Sequence, residues 1–427
     1  MLLHFLLRPV RPGDATRTFY LFSGISTFCF ALTFTVNLVY MATVVGLSPL
    51  HMVLVGTVLE ISAFVFEIPT GIVADLYSRR ASVIIGFWLI GIGFLVQAVP
   101  SFTAVLLAQV IWGIGSTFTS GAAQAWITDE IGEKAIPRVF TREQQIHLFA
   151  GVAGTVAAGL LSLAFLRLPM LVSGVGFLLL AVWVWLVMPE EHFKPTPVQR
   201  RETFRHMART AREGLRLARS RPVVRGLLLI SLFVGLASEA FDRLWLVRIV
   251  EDFPLPPLLG AANVGPWFAG IALVGSVVAL LASLLVNRFG AVELGTRHPG
   301  RVLAVLALVQ VLCVLGVALA GSLWLALAAL WLKGAALAIA APVEATWLNR
   351  ELRSDIRATV LSMNAQVNAV GQVVGGPPLG ALAGRTTVST ALVVSAGLLS
   401  PAVVIYGWLG RRRAPGTETH DGDPPGR

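Results

Sequence analysis

Ionisable side chains inside apolar stretches are the residues of this sequence that could do chemistry. Glu60, Lys333 and the group Glu239, Asp242 and Arg243 each interrupt a run of mainly apolar residues. An ionised side chain inside a hydrocarbon layer costs about 2.5–3.5 kcal/mol, so it is retained where a cavity or a partner receives it. A carboxyl group held in this way can take up and release a proton, and a nearby cation shifts that balance. We expect proton exchange or ligand binding here, with a purely structural buried pair as the alternative for Glu60 and Lys333.

Several weaker candidates accompany these five residues. Further polar groups that could line a cavity are Asn37, Glu67, Gln109 and Gln124. Glu67 lies seven residues after Glu60 and therefore on the same face of a helix. We expect Glu60 to carry the proton, with Lys333 at matching depth on another helix, and Glu67 and Glu239 as substitutes. Asp242 and Arg243 are adjacent and close to the end of their apolar stretch, which favours a structural or interfacial role.

The composition places these residues in a membrane protein. Apolar residues make up 56% of the 427 positions, charged residues make up 13%, and the mean hydropathy is +0.78. Soluble domains carry about 25% charged residues. A helix needs about 20 apolar residues to cross the hydrocarbon layer. The stretches that meet this length, here called spans 1 to 12, cover residues 18–45, 50–74, 82–99, 102–128, 145–166, 168–188, 223–247, 266–287, 302–320, 322–347, 359–383 and 387–409.

The basic residues are divided unevenly between the gaps. Gaps after even-numbered spans are rich in arginine, for example at 200–225, and 411–413 follow span 12. Gaps after odd-numbered spans hold only Arg167, Arg248 and Arg385. Because positive residues stay on the cytoplasmic side, both termini are predicted to be cytoplasmic. The formal charge of +10 therefore reflects topology, and no nucleic-acid partner is expected.

The gap in the middle of the chain suggests two halves. We expect six-helix bundles at 1–188 and 222–410, a linker at 189–221 and a disordered tail at 411–427. Arginines recur every three or four residues in the linker, at Arg201, Arg205, Arg209, Arg212, Arg216 and Arg219. This pattern fits a basic amphipathic helix on an anionic leaflet. A solvated linker whose charge only fixes topology fits it equally well.

A short motif between spans 2 and 3 carries a resemblance to a known family. The sequence GIVADLYSRRAS contains Gly71, Asp75, Arg79 and Arg80. It resembles the signature loop of the major facilitator superfamily, G-x-x-x-D-R-x-G-R-[RK]. Four of the six defining positions match; Leu76 replaces the first arginine and Ser78 the second glycine. The resemblance implies an all-α integral membrane fold of twelve helices, in two pseudo-symmetric bundles around a central cavity. It also implies that spans 3, 6, 9 and 12, which hold no charge, lie outside.

The resemblance further implies a conformational latch. Arg79 is expected to pair with Asp129 or Glu130 at the inner end of span 4, and Asp75 to accept hydrogen bonds from the N-terminus of a facing helix. Such a latch would hold the outward-open state. The alternative is that Arg79 and Arg80 serve only as topology signals.

Other segments are similar to the tetracycline and multidrug efflux branches of this superfamily. They are FEIPTGIVAD, AWITDEIGE, SEAFDRLW and RATVLS with GQVVGGPPLG. Two departures from those branches weaken proton antiport. Gln109 stands where proton-coupled exporters have an arginine four residues before a glycine, and the glycine–proline motif is absent from span 5. A similar pattern occurs in span 11 instead, at Gly375, Gly376, Pro377 and Gly380.

The sequence thus predicts a monomeric secondary transporter in the plasma membrane. Its expected function is proton-coupled efflux of a small hydrophobic or amphipathic compound, with a proton gradient as driving force and no cofactor. The alternative is a facilitator of lipids or metabolites without proton antiport. A membrane enzyme is disfavoured, because the seven histidines show no metal-ligand spacing and no nucleophile motif is present. Cys29 and Cys313 lie in apolar runs and imply neither a disulfide nor a metal site.

Overall fold

The structure, a computed structural model, describes residues 14–195, 212, 216, 222–258, 260, 263–288, 298–351 and 354–411. The helices that form spans 1 to 12 are Ala15–Thr43, Pro49–Leu76, Arg79–Gln97, Phe102–Thr119 with Ala122–Ile131, Ile136–Ser162, Leu168–Val187, Pro222–Asp252, Gly265–Arg288, Pro299–Leu319, Leu323–Glu351, Ser354–Arg385, and Val388–Leu399 with Pro401–Leu409. Eleven of these spans are long and apolar enough to cross a membrane. Span 11 is the exception, and its amides Asn364, Asn368 and Gln372 make it more polar. The predicted all-α membrane fold is confirmed.

Short polar residues fix the start of several spans. Ser48 and Ser78 accept hydrogen bonds from the backbone N–H groups of His51 and Ala81, at 3.3 and 2.9 Å. Asp14 does the same for Arg17 at 3.1 Å. Each bond satisfies one of the donors that a helix leaves unpaired at its N-terminus. These caps define where the helices of spans 1, 2 and 3 begin.

Two spans are interrupted. Span 4 breaks between Thr119 and Ala122, where Gly121 has a φ angle of 72° that other residues rarely adopt. Span 12 breaks at Ser400, directly before Pro401, whose ring cannot continue a helix without loss of a hydrogen bond. The break in span 4 lets its last turns, which carry Asp129, change direction.

Charged turns extend several spans beyond their predicted boundaries, and spans 5 and 7 show this most clearly. Span 5 begins at Ile136 instead of 145, and span 7 ends at Asp252 instead of 247. Both extensions contain charged residues, which end an apolar window but do not end a helix. In span 7, Arg248 forms an ion pair with Asp252 one turn later and donates to the carbonyl of Ala320 at 3.0 Å.

Each half of the chain packs around apolar residues of its own. Phe30, Phe94 and Phe177 join spans 1, 3 and 6, with 4.9 Å between the ring centroids of Phe30 and Phe177. Trp347 and Tyr406 belong to a separate cluster of spans 7, 9, 10, 11 and 12. The predicted linker helix and tail lie almost entirely outside the described residues.

The two halves meet at one side of the molecule. We call the ends of the spans nearest the chain termini the terminal side, and the opposite ends the distal side. Asn263 before span 8 donates to the carbonyl of Ser162 at the distal end of span 5, at 2.8 Å. A Cβ at Gly380 of span 11 would lie 3.1 Å from the Cα of Leu50 and from the Cβ of Val53 in span 2. Both of these contacts between the halves lie on the distal side. The conformation is therefore closed on the distal side.

Candidate functional site

An ion pair within span 7 lies at the interface between the halves, near the middle of the membrane. Arg243 of span 7 donates through Nε to Oε1 of Glu239, at 3.0 Å. Glu239 is only 4% exposed. The pair lies against the backbone of span 2 at Gly56, where an added Cβ would overlap the Glu239 carboxylate and approach the Arg243 guanidinium to 2.7 Å. The absence of a side chain at Gly56 therefore makes room for this ion pair.

Glu60 belongs to the same cluster. It lies one helical turn after Gly56 in span 2, on the same face, and is half-buried. Its electrostatic partners are Glu239, which repels it, and Arg243, which attracts it. Arg243 thus interacts with two carboxyl groups, Glu239 of its own half and Glu60 of the other half.

A second set of opposite charges lies between spans 7 and 10. Asp242 interacts electrostatically with Lys333 and, less strongly, with Arg243. The Lys333 ammonium also lies 4.2 Å from the ring centroid of Phe241, a cation–π contact. Lys333 therefore faces two neighbouring residues of span 7, Phe241 and Asp242.

These charges share one depth. Asp242 lies ten residues before the end of span 7 and Lys333 ten residues after the start of span 10. At 1.5 Å per residue, both are about 15 Å from the distal ends, near the middle of an apolar layer about 30 Å thick. Asp242 and Arg243 therefore lie deeper than the expected position near the rim, because they face Lys333 and Glu60, which are at mid-depth in their own spans.

The expected pairing of Glu60 with Lys333 is also not the one observed. Lys333 faces Asp242, and the cation near Glu60 is Arg243. Depth along a helix can be counted from the sequence, but the direction of a side chain around the bundle axis depends on packing. Glu60 and Lys333 therefore belong to the same cluster, but Glu60 lies near Arg243 and Lys333 lies near Asp242.

Two of the expected cavity residues lie inside the N-terminal half instead. Asn37 and Gln109 are 4% and 1% exposed. Gln97 donates to Asn37 and accepts from Gln109 at 3.3 Å, and the indole of Trp112 donates to Gln109 at 3.0 Å. Buried amides need such partners, so these residues form an internal network and do not line a cavity. The structure leaves Glu67 and Gln124 exposed toward the terminal side.

An apolar cavity of about 250 Å³ adjoins the charged cluster. Spans 1, 7, 8 and 10 contribute its lining: Phe34, Thr35, Leu38, Trp245, Leu246, Phe268, Ile271, Ala272, Gly275, Leu330, Trp331 and Gly334. Asp242 lies one turn before Trp245 and Leu246, and Lys333 lies one turn after Leu330, so both share a face with the lining. The charges therefore stand at the terminal side of an aromatic cavity.

The loop between spans 2 and 3 forms the contact that the family motif implies. Arg79 makes an ion pair with Asp129 and donates to the carbonyl of Ala125 at 2.8 Å. Asp75 is 4.0 Å from Arg79 but has a half-exposed side chain. Glu130 takes another role: it accepts from the backbone N–H groups of Glu191 and His192 at 2.9 and 3.1 Å.

The same region contains an acid that the sequence did not indicate. Glu190, directly after span 6, accepts from Ser78 Oγ at 2.6 Å and from the backbone N–H of Arg80 at 2.9 Å. It thereby caps span 3, which fits the preference of helix N-termini for negative charge. An added Cβ at Gly71 would have none of the described atoms within 4 Å. Among the described residues, no other helix therefore approaches Gly71 closely in this conformation.

A titratable pair in span 5 was likewise not predicted. Ser23 of span 1 lies 2.8 Å from Glu143 and 2.9 Å from His147, both in span 5. Glu143 and His147 are themselves 3.6 Å apart. The spacing of four residues could have indicated an acid–histidine pair, but the apolar window for span 5 began after Glu143.

Glycines in span 11 set close helix contacts. An added Cβ at Gly375 would meet the backbone of Leu236 in span 7, and one at Gly376 would lie 2.9 Å from Val53 in span 2. Span 11 therefore bridges the charged segment of span 7 and the distal contact with span 2. Pro377 lies within this helix. No group of three metal-ligating side chains occurs among the described residues.

Comparisons with known proteins identify the family. The model of the Major Facilitator Superfamily matches residues 19–375. The chain belongs to the Major Facilitator Superfamily. An uncharacterized MFS-type transporter of Bacillus subtilis (strain 168), YxaM, is 24% identical over 363 residues, which cover 83% of this chain and 86% of that protein. The chain is therefore a multi-pass membrane protein and a secondary transporter of this superfamily, and not an enzyme.

Solved structures show the same superfamily fold. The nucleoside transporter NupG superposes with a TM-score of 0.72 at 14% identity, covering 94% of this chain and 100% of NupG. A POT family transporter in complex with 5-aminolevulinic acid gives 0.71 at 14% identity, with 94% and 96% coverage. A bacterial homolog of the human lysosomal transporter Spinster, inward-facing and unoccupied, gives 0.67 at 17% identity, with 94% and 98% coverage. At these identities the likeness concerns the fold alone.

Proposed function

We propose that this transporter exports an amphipathic small molecule in exchange for protons, and that Glu60 carries the proton. The supporting observation is the charge balance of the mid-membrane cluster. Among the described residues, three acids (Glu60, Glu239 and Asp242) face two cations (Arg243 and Lys333), which leaves one acid in excess. An unpaired charge in an apolar layer is costly. A proton or a cationic group of the substrate neutralises the excess.

Glu60 is the acid to which this excess belongs. Arg243 is hydrogen-bonded to Glu239, and Lys333 is engaged with Asp242. Within the described part of the cluster, Glu60 only shares Arg243 across the interface of the two halves. When the halves move, the distance between Glu60 and Arg243 changes, so the affinity of Glu60 for a proton depends on the conformation. This dependence couples proton transfer to alternating access.

The adjoining cavity supports the substrate class. It offers aromatic walls at Phe34, Trp245, Phe268 and Trp331. A cavity of about 150 Å³ accommodates benzene, so about 250 Å³ holds a larger aromatic or aliphatic body. Such a body in the cavity places an attached amine or carboxylate beside Asp242 and Lys333. Compounds with a compact apolar part and a positive or zwitterionic head fit this arrangement better than sugars do.

The test uses purified transporter in liposomes that contain a pH-sensitive dye. A panel of aromatic amines and aromatic zwitterions is added with imposed pH gradients of either sign, and substrate uptake and proton flux are measured together. The variant Glu60→Gln keeps shape and hydrogen-bonding capacity but cannot change charge. We expect it to lose uphill transport and substrate-dependent proton flux while it retains downhill exchange. Glu251→Gln, which changes an exposed acid at the distal end of the same span as Asp242, is the matched control.

Three outcomes would contradict the proposal. Uphill transport by Glu60→Gln at the wild-type rate would exclude Glu60 as the carrier and transfer that role to Glu239 or Glu67. Substrate movement that never carries protons would identify a facilitator without antiport. Accumulation only in the direction opposite to export would show proton-coupled uptake instead.

A further inference from the structure

A second cavity lies on the outside of the C-terminal half, away from the charged cluster. It measures about 250 Å³ and is lined by Arg225, Gly226, Leu229, Val404, Ile405 and Trp408. These residues belong to the start of span 7 and the end of span 12, so the cavity opens at the terminal side. It shares no residue with the aromatic cavity described above. We call it the terminal groove.

The groove is apolar along its length and basic at its end. Leu229 and Val404 are 41% and 72% exposed, and at this position in a span they face hydrocarbon. Trp408 lies one turn beyond Val404, where aromatic side chains favour the boundary between hydrocarbon and headgroups. Arg225 is the ionisable residue of the lining. Arg225 lies one turn of span 7 nearer the terminal side than Leu229. This places its charge at headgroup depth, next to the apolar track formed by Leu229 and Val404.

Two more arginines lie around the same end of span 12. An added Cβ at Gly226 would meet Leu409 at 2.8 Å, so Arg225 is level with the last residues of span 12. An added Cβ at Gly410 would lie 3.0 Å from the backbone nitrogen of Arg301 at the start of span 9. Arg301 and Arg411 therefore flank the same point, and the side chains of all three arginines are exposed. Among the described residues, no carboxylate forms an ion pair with any of them.

The opposite face of span 12 is turned toward the protein. Tyr406 interacts with the carboxyl group of Glu344 in span 10 and lies 6.4 Å from Trp347, measured between ring centroids. That acid is therefore directed away from the groove. Val404, two residues before Tyr406, stands on the face that the bundle leaves exposed.

We propose that the terminal groove binds one anionic phospholipid. Its phosphate and headgroup contact Arg225, with Arg301 and Arg411 adding positive potential, and one acyl chain follows Leu229 and Val404. Three exposed cations at one point fit a negatively charged headgroup, and an apolar track that faces hydrocarbon fits an acyl chain. The N-termini of spans 7 and 9, which begin here, also favour a phosphate.

The test measures lipid retention by native mass spectrometry. The full chain, purified in detergent, is titrated with palmitoyl-oleoyl phosphatidylglycerol or with phosphatidylcholine of the same acyl chains. We expect one phosphatidylglycerol to bind more tightly than phosphatidylcholine. An arginine near an anionic lipid contributes about 1 kcal/mol, so Arg225→Gln should weaken the first phosphatidylglycerol about fivefold. Arg138→Gln, which removes an exposed arginine at the start of span 5, should leave it unchanged.

A second variant tests the apolar part. Leu229→Trp fills the track without removing charge and, because Leu229 lies on the surface, leaves the protein core intact. It should weaken both lipids at this site. Equal binding of the two lipids by the wild type, wild-type binding by Arg225→Gln, or equal loss with Arg138→Gln would each overturn the proposal. Displacement of the lipid by a transported amine would also overturn it, since the groove would then be a substrate site.

Discussion

Gly56 determines how closely spans 2 and 7 approach at the level of the charged cluster. The carboxylate of Glu239 occupies the space that a Cβ at this position would need. Glu239 is hydrogen-bonded to Arg243, so a movement of the Glu239 side chain also displaces the Arg243 guanidinium. This movement changes the attraction that Arg243 exerts on Glu60. Gly56 therefore leaves room for Glu239 and Arg243 at the interface between the halves.

We expect Gly56→Ala to impair transport. Alanine favours a helix over glycine by about 1 kcal/mol, but overpacking at a close contact costs about 1–3 kcal/mol. The net cost of the substitution destabilises the distal-closed state. Transport should therefore fall about tenfold in the liposome assay at matched expression. Gly151→Ala in span 5, where an added Cβ has none of the described atoms within 4 Å, is the control and should transport normally. A normal rate for Gly56→Ala would show that the cluster adjusts without cost.

Lys333 illustrates what residue counting can and cannot predict. Its depth and that of Glu60 follow from distance along their helices, and both lie near the middle of the membrane. Its partner does not follow, because the direction of a side chain depends on how spans 7 and 10 rotate against each other. The prediction for Asn37 and Gln109 was wrong for the same reason, since an amide inside a span can satisfy itself within one bundle as readily as it can line a cavity.

At the scale of helices, the loop between spans 2 and 3 carries two acidic contacts of Arg79 whose effects can be measured separately. Arg79 and Asp129 connect spans 3 and 4 within the N-terminal half, with additional support from the Ala125 carbonyl. Asp75 is half-exposed, and its ion-pair partner among the described residues is Arg79 of the same half. The contact between Arg79 and Asp129 therefore stabilises the N-terminal bundle. A contact of Asp75 with a facing helix would belong to the state that is closed on the terminal side.

Substitutions should distinguish these contacts. Asp129→Asn removes the ion pair that connects spans 3 and 4, and should lower the melting temperature of the purified protein as well as the transport rate. Asp75→Asn should leave the melting temperature within error but lower transport, because it shifts the balance between the two states. Thermal unfolding in detergent and transport in liposomes provide the two readouts. Normal transport by both variants would mean that this loop acts as a topology signal only.

The order and approximate position of the spans were predictable, because a run of about 20 apolar residues is rare outside membrane-spanning helices. The ends were less predictable wherever charge continues along a helix. Arg248 and Asp252 end the apolar window of span 7, yet they pair one turn apart and extend the helix. Glu190 had no signal in the sequence, because capping a helix more than a hundred residues earlier requires the folded bundle.

At the scale of the whole molecule, three features follow one another from the distal side to the terminal side: the closed contacts, the aromatic cavity and the charged cluster. The distal contacts between spans 2 and 11 and between spans 5 and 8 lie above the cavity, and the charged cluster lies at its terminal side. A substrate therefore reaches the cavity past the charges. That the terminal side is cytoplasmic remains a prediction from the arginine distribution.

Transport requires the distal side to open, and a reversible cross-link tests this requirement. An added Cβ at Gly380 would lie 3.1 Å from the Cβ of Val53, and a disulfide needs about 3.5–4.5 Å between these atoms, so a small shift lets Val53→Cys and Gly380→Cys pair. The native cysteines Cys29 and Cys313 are buried and should not compete. Oxidation of the double variant should reduce liposome transport to less than about a tenth, and a reductant should restore it. Each single variant, oxidised in the same way, should retain its own rate. Undiminished transport by the fully oxidised double variant would mean that substrate crosses without separation of spans 2 and 11, and alternating access at this contact would be wrong.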